Sequence, residues 1–187
     1  MVGGHADGAL VEAARAGDHD AWHELYGRAY PRLRAYAVRR VGPVDAEDVV
    51  SETMARAVAG IDGFRLTSAG FDGWLFGIAR RICVDHHRAA ERAARRGGRA
   101  AVVTSGDESG AGVSVDEGLL LADEHVQIRR VFQQLTDGER ELLELRVIAG
   151  LSADDTAMAL GKRPGAVRTA QSRALARLRV LLEGDDA

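Results

Sequence analysis

Leu151-Ser-Ala-Asp-Asp-Thr-Ala-Met-Ala-Leu-Gly161, followed after Lys162 by Arg163-Pro-Gly-Ala-Val-Arg-Thr-Ala-Gln-Ser-Arg-Ala-Leu-Ala-Arg-Leu-Arg179, decides the fold of this chain. Ser152 stands where a hydroxyl can accept from the backbone N–H three residues on, and Asp155, at that third position, can reach back. The pair predicts a capped helix start. Gly161 supplies the left-handed residue that ends such a helix, and Pro164, lacking an N–H, suits the first turn of the next. Two helices meeting at a tight corner follow, the outline of a DNA-reading helix-turn-helix. On the second helix Val167, Ala170, Ala174, Leu178 and Leu181 recur at helical spacing and predict a buried stripe. Arg168, Thr169, Ser172 and Arg173 are left outward, where a helix in a DNA groove meets base edges and phosphates. Arg177 and Arg179 lie further from the helix start, and solvation of the distal helix accounts for them better than a DNA contact.

Working upstream, Thr136 and Glu139 repeat the capping-box spacing and open a stretch rich in Leu142, Leu143 and Leu145, the pattern of a scaffold helix rather than a reader. Almost no strand signal appears, and the 3 prolines stand at positions 31, 43 and 164. The fold class predicted is all-α. Short helices are expected over 7–16, 18–29, 31–41 and 44–60, then a longer one over 71–96, with residues 61–70 as a loop. Along the long helix Phe71, Trp74, Leu75, Ile78 and Ile82 form an apolar stripe, and Arg81, Arg88, Arg92 and Arg95 form a basic stripe beside it.

The formal charge of -3 looks wrong for a nucleic-acid binder until it is resolved along the chain. Residues 80–99 hold 7 Arg against Asp85 and Glu91, a local +5, and residues 162–179 hold 6 basic residues and no acid. Two basic segments are thus separated by residues 100–128, which carry 6 carboxylates (Asp107, Glu108, Asp116, Glu117, Asp123 and Glu124) and no Lys or Arg. That stretch begins Gly- and Ser-rich and is expected to be a flexible acidic linker between two helical domains. The predicted boundaries are a first domain at 1–97, the linker at 98–124 and a second domain at 125–187.

Composition narrows the function classes. With 187 residues, 46% of them hydrophobic, the chain can bury one moderate core or two small ones. No apolar run is long enough to span a bilayer and no signal segment opens the chain, so a cytoplasmic location without membrane insertion is expected. The lone Cys83 excludes an internal disulfide. His19 and His23 are spaced i, i+4, and Cys83 lies near His86 and His87, but third and fourth ligands at fitting spacing are missing. There is no Gly-rich phosphate loop and no nucleophile with a base at motif spacing. No catalytic residues, no metal and no cofactor are expected.

Several segments together resemble one family, the extracytoplasmic-function (ECF) subgroup of the sigma-70 family of bacterial RNA polymerase initiation factors. The first domain resembles sigma region 2 through Asp20-Ala-Trp-His-Glu-Leu-Tyr26, Asp45-Ala-Glu-Asp-Val-Val-Ser-Glu-Thr-Met54 and Phe71-Asp-Gly-Trp-Leu-Phe-Gly-Ile-Ala-Arg80. The second resembles region 4, from Leu135-Thr-Asp-Gly-Glu-Arg-Glu-Leu-Leu-Glu-Leu-Arg146 through the helix-turn-helix.

The resemblance implies a promoter-specificity factor whose partners are core RNA polymerase (the largest subunit's coiled coil and the flap), promoter DNA as duplex and melted single strand, and an anti-sigma factor. It places polymerase docking on Asp45, Glu47, Asp48 and Glu52, whose charge suits steering toward a basic partner. Carboxylates at a helix start are also stabilised by the helix dipole alone, and both can hold. The loop 61–70 and the long helix correspond to the minus-10 reader, with Phe64, Arg65, Arg80, Arg81, Arg88 and Arg92 as contacts to unpaired DNA. Arg168, Thr169, Ser172 and Arg173 correspond to the minus-35 reader. Two other classes remain open: a free-standing helix-turn-helix regulator, which binds its operator without polymerase, and a sigma-like protein-interaction module that reads no promoter.

Overall fold

The two short helices expected on either side of Pro31 are one. In the computed structural model, which describes residues 3–97, 128 and 130–185, helix α2 runs unbroken over His19–Val41 with Pro31 inside it. The expected break is corrected by packing. Ala21, Leu25, Ala29, Leu33, Tyr36, Ala37 and Val41 form one continuous buried stripe, while Pro31 lies on the exposed side. There the missing N–H costs less, because water can meet the carbonyl left unpaired. Asp18 starts the helix by accepting from the amides of Asp20 (2.8 Å) and Ala21 (3.1 Å).

Around α2 stand α1 (Gly3–Arg15), α3 (Pro43–Gly60) and α4 (Phe71–Gly97). Gly42, at φ 88°, makes the corner from α2 into α3, a conformation that glycine adopts without strain, and Pro43 opens α3. A single 3-10 turn, Ile61–Gly63, leads from α3 into the loop before α4. The two helices on either side of α2 bury Val49, Val50, Leu75, Phe76 and Ala79 against it.

The second domain is a capped helix α5 (Asp137–Leu143), a π-helical turn Glu144–Ile148, helix α6 (Ala153–Leu160) and helix α7 (Pro164–Asp185). Both capping boxes form as the sequence predicts, Thr136 with Glu139 and Ser152 with Asp155, and Gly161 ends α6 at φ 64°. Val167 and Ala174 are buried against the rest of the domain, with Ala170, Leu178 and Leu181 packed at the edges. The described residues contain no strand, so the chain is all-α with two helical domains. The acidic linker predicted at 98–124 lies outside the described residues.

The two domains lie against each other. Leu145, Ala149, Leu151 and Ala159 of the second domain belong to the same apolar cluster as the first domain's core, whereas the second domain's own two clusters are smaller. Helix α6 therefore has two occupied sides, one on α7 and one on α4.

Candidate nucleic-acid interface

The second-domain candidate face is built from the turn outward. Arg146 holds the corner by donating to Gln171 Oε1 (2.8 Å) and to the carbonyl of Leu151, so the start of α6 and the middle of α7 are tied through one guanidinium. With Val167 and Ala174 anchored, Arg168, Thr169, Ser172 and Arg173 face solvent together on α7. Arg168 remains 63% exposed with its nearest carboxylate, Asp154, at 3.7 Å. An exposed pair of that length is weak and yields readily to a phosphate or a guanine edge. Arg177 is instead turned back onto Glu139 (3.4 Å) and the Gln134 carbonyl (3.3 Å).

The first-domain site is differently made. Arg15 reaches from α1 to the carbonyls of Ile61 (3.3 Å) and Phe64 (2.7 Å) and fixes the start of the loop. Phe64 itself is 2% exposed, with its ring 5.0 Å from that of Trp74 and 6.0 Å from that of Phe71. The expectation that its ring meets a base does not fit this position, because the ring is a plug in the core and gives up its packing before it can stack on anything else. Arg81, Arg88 and Arg92 are exposed, as the basic stripe predicts, and so is Arg65 in the loop. Arg80 is not free: its Nε donates to Glu141 Oε1 of the second domain at 2.9 Å.

The carboxylates of α3 turn two ways, Asp45 toward His86 on α4 and Glu47 toward Arg34 and Tyr30 on α2. Glu47, Asp48 and Glu52 are exposed and Asp45 is half-buried. Glu47 accepts from Arg34 at 2.6 Å and from the Tyr30 hydroxyl at 3.2 Å, Glu52 pairs with Arg56 at 2.8 Å, and Asp45 lies 3.3 Å from His86. The Glu47 carboxylate holds the Arg34 guanidinium further toward its charged form. Salt screens these exposed pairs, and each can be exchanged for a basic partner at little cost. Among the described residues no group of three His, Cys, Asp or Glu side chains gathers as metal ligands would, and burial pushes the Cys83 thiol up to about 12.

The sequence pattern did not reveal a buried polar cluster between the domains. Arg40 from α2 meets Glu144 at 3.5 Å and Glu141 at 3.9 Å, next to the Arg80 pair. Tyr36 and Cys83 line the same place. Burial pushes the Glu144 carboxyl up from the usual glutamate range, against the pull of Arg40 and Arg39. Burial likewise drives the Tyr36 hydroxyl well above its ordinary value. The signal that could have exposed this cluster was two carboxylates, at 141 and 144, on the leucine-rich side of a helix.

Comparison with known proteins agrees with this geometry. The family model for Sigma-70 region 2 matches residues 25–93, and that for Sigma-70 region 4 matches residues 125–178. The ECF RNA polymerase sigma factor ShbA of Streptomyces griseus is 35% identical, over 94% of this chain and 95% of its own. The chain belongs to the ECF subgroup of the sigma-70 family. The ECF RNA polymerase sigma factor SigD of Mycobacterium tuberculosis is 34% identical, over 100% of this chain and 89% of its own. Among solved structures, CnrH in complex with the cytosolic domain of CnrY superposes with a TM-score of 0.67 at 26% identity, covering 96% of this chain and 99% of that one. The sigma factor RpoE in complex with the anti-sigma factor NepR, from Bartonella quintana, gives 0.67 at 25% identity, covering 86% and 96%. As an ECF sigma factor the protein acts in transcription initiation, and its relatives are DNA-binding transcription factors rather than enzymes. No helix among the described residues is long and apolar enough to cross a membrane.

Proposed function

We propose that this sigma factor joins core RNA polymerase through the acidic face of α3, with Asp45, Glu47, Asp48 and Glu52 as contacts to a basic coiled coil and the second domain on the flap. Arg168, Thr169, Ser172 and Arg173 read the minus-35 element as duplex. Arg65, Arg80, Arg81, Arg88 and Arg92 hold the minus-10 element as a melted strand. Melting needs no fuel: a groove lined by guanidinium groups traps DNA opened by thermal motion and offsets the unstacking cost of a few kcal/mol per step. The protein works in the cytoplasm and performs no chemistry of its own, which belongs to the polymerase. The family likeness also supports an anti-sigma factor as a regulator, as the structures of CnrH and RpoE with their partners illustrate.

The observation that carries this reading is the presence of an outward Arg-bearing face on each of the two helical domains, together with exposed carboxylates on α3. A free-standing regulator needs only the face on the second domain. Run-off transcription by purified core polymerase on genomic fragments, with and without the protein, tests it. The expected outcome is a set of new RNA starts sharing two upstream elements at fixed spacing. No new starts despite core binding would point to a sequestering module, and no core binding at all to an independent regulator.

A further inference from the structure

Arg15, the last residue of α1, turns its guanidinium to the loop before α4. Its Nη2 donates to the Phe64 carbonyl at 2.7 Å and to the Ile61 carbonyl at 3.3 Å, and its Nε donates to the Ile61 carbonyl at 3.4 Å. Glu12, one turn back, holds Nη1 at 2.5 Å. The helix dipole alone favours an arginine in a last turn. It does not account for partners 46 and 49 residues away. The end of α1 is itself fixed, since Val11 and Ala14 are buried and the Trp22 indole N–H donates to the Ala14 carbonyl at 3.0 Å. Further back on the same helix, a Cβ built on Gly8 would stand 3.1 Å from Leu66 Cδ2. Helix α1 therefore meets the loop twice, at its stem and at Leu66.

Two anchors bound the exposed part of that loop. Phe64 is pinned from both sides, its ring beside Phe71 and Trp74 and its carbonyl on Arg15. Ala69 is buried at the other end, and its carbonyl accepts from the Thr67 hydroxyl at 3.0 Å. Between them Arg65, Leu66, Thr67 and Ser68 are exposed. Exposed loop backbone lies at the low end of local stability, so its anchors decide which way so short a run points.

We propose that Arg15 is a positioning residue for promoter opening: from α1 it fixes the backbone of the loop, so that Arg65 and its neighbours meet the unpaired minus-10 strand already in place. This rests on the minus-10 assignment made above. The region 2 family match begins at residue 25, so α1 and Arg15 lie ahead of it. A charged donor makes stronger hydrogen bonds to carbonyls than a neutral one, and a loop ordered beforehand has no ordering cost left when DNA arrives. With all three nitrogens engaged and its side chain only 25% exposed, Arg15 acts on the loop and not on DNA.

The test is a selection by holoenzyme assembled from core RNA polymerase and the full chain. The probe is a pool of single-stranded oligonucleotides with randomised positions, and sequencing the bound fraction gives the base preference. The wild-type chain should enrich a short motif. A wrong base at a specifically read position costs about tenfold in binding, and Arg15→Ala should bring that ratio close to one. Arg15→Lys, which keeps a charged donor for one carbonyl at a time, should retain part of it. The preference is a ratio within one sample, so a loss of folded protein does not move it. Hydrogen exchange gives a readout without DNA: the amides of Arg65, Leu66, Thr67 and Ser68 should exchange faster in Arg15→Ala while α4 stays protected. An unchanged motif in Arg15→Ala, or loop amides that exchange as before, overturns the positioning role. Weaker binding with the same motif and a shallower salt dependence makes Arg15 a phosphate contact and overturns it too. A wild-type holoenzyme that enriches no motif is a different failure, because it removes the minus-10 assignment and the proposal falls with it.

Discussion

The two arginine-bearing helices α4 and α7 carry similar charge and are presented in opposite ways. On α7 the face of Arg168, Thr169, Ser172 and Arg173 stands open, and the carboxylate nearest Arg168 is a loose 3.7 Å away. On α4 the equivalent arginines are divided: Arg81, Arg88 and Arg92 are exposed, while Arg80 sits in a tight pair with the second domain, and the loop before the helix ends in a hydrogen bond to Asp155. Charge alone therefore does not make a binding surface. The face on α7 is open to solvent, and the face on α4 is shared with the second domain of the same chain.

The largest effect expected concerns how the shared face is supported from beneath. Phe64→Ala removes a fully packed ring and should cost about 3–5 kcal/mol of stability in thermal unfolding. A base-stacking role would instead leave the melting temperature in place and lower only promoter opening, which permanganate footprinting reads. Next comes the polar contact between the domains. Arg40→Ala leaves Glu144 buried without its ion-pair partner, while Glu141 keeps Arg80 at 2.9 Å, a loss of about 3 kcal/mol for a buried pair deprived of one partner. Because parting of the domains rehydrates that carboxylate, the loss should appear as a longer distance between labels at Val58→Cys and Val180→Cys, exposed on the two domains, with the first domain's own unfolding little changed. A fall in that unfolding temperature with no change in distance would mean that Arg40 is a fold residue and not an interdomain one.

On the open side of the comparison, Arg168→Ala should weaken the minus-35 contribution by about 1–3 kcal/mol and leave core binding as it was. Start-site selection on promoters with intact and scrambled upstream elements reads this directly. Equal loss on both would make Arg168 a phosphate contact without sequence preference, and a parallel loss of core binding would remove the residue from the reader altogether.

Local rules made much of this legible in the sequence. The two capping boxes, the left-handed Gly161 and the apolar spacing on α7 are short-range signals, and each predicted its element from residues within one or two turns. Pro31 was misleading because its cost depends on which side of the helix it occupies, and that is fixed by packing from α3 and α4. The cluster between the domains went unread for the same kind of reason. Arg80 and Glu141 are 61 residues apart and Arg40 and Glu144 are 104 apart, on either side of the acidic segment, so the one local trace, two carboxylates on a leucine-rich helix side, does not name their partners. Gly73 and Gly77 read as poor helix formers until another backbone is found lying on them. Phe64, Arg65 and Arg80 were all proposed as one site from their neighbourhood in sequence, yet tertiary packing gives the three different surroundings.

The smallest effect expected is a pH dependence of the closed arrangement, in which the domains lie against each other, and its sign follows from Glu144. Burial raises the carboxyl of Glu144 in the closed form, and parting the domains returns it toward the ordinary glutamate value. The closed form therefore binds a proton more readily than the open one. Closure is favoured most below the ordinary glutamate value and weakens as pH rises through the raised one, then levels off. Over that window the neighbouring guanidinium groups keep their charge, and Tyr36 and Cys83 stay neutral, since burial has moved both upward. The labelled pair should thus report a larger open fraction at about pH 8 than at about pH 5. Glu144→Gln should flatten the curve across this range. A dependence that survives the substitution would remove Glu144 as its source.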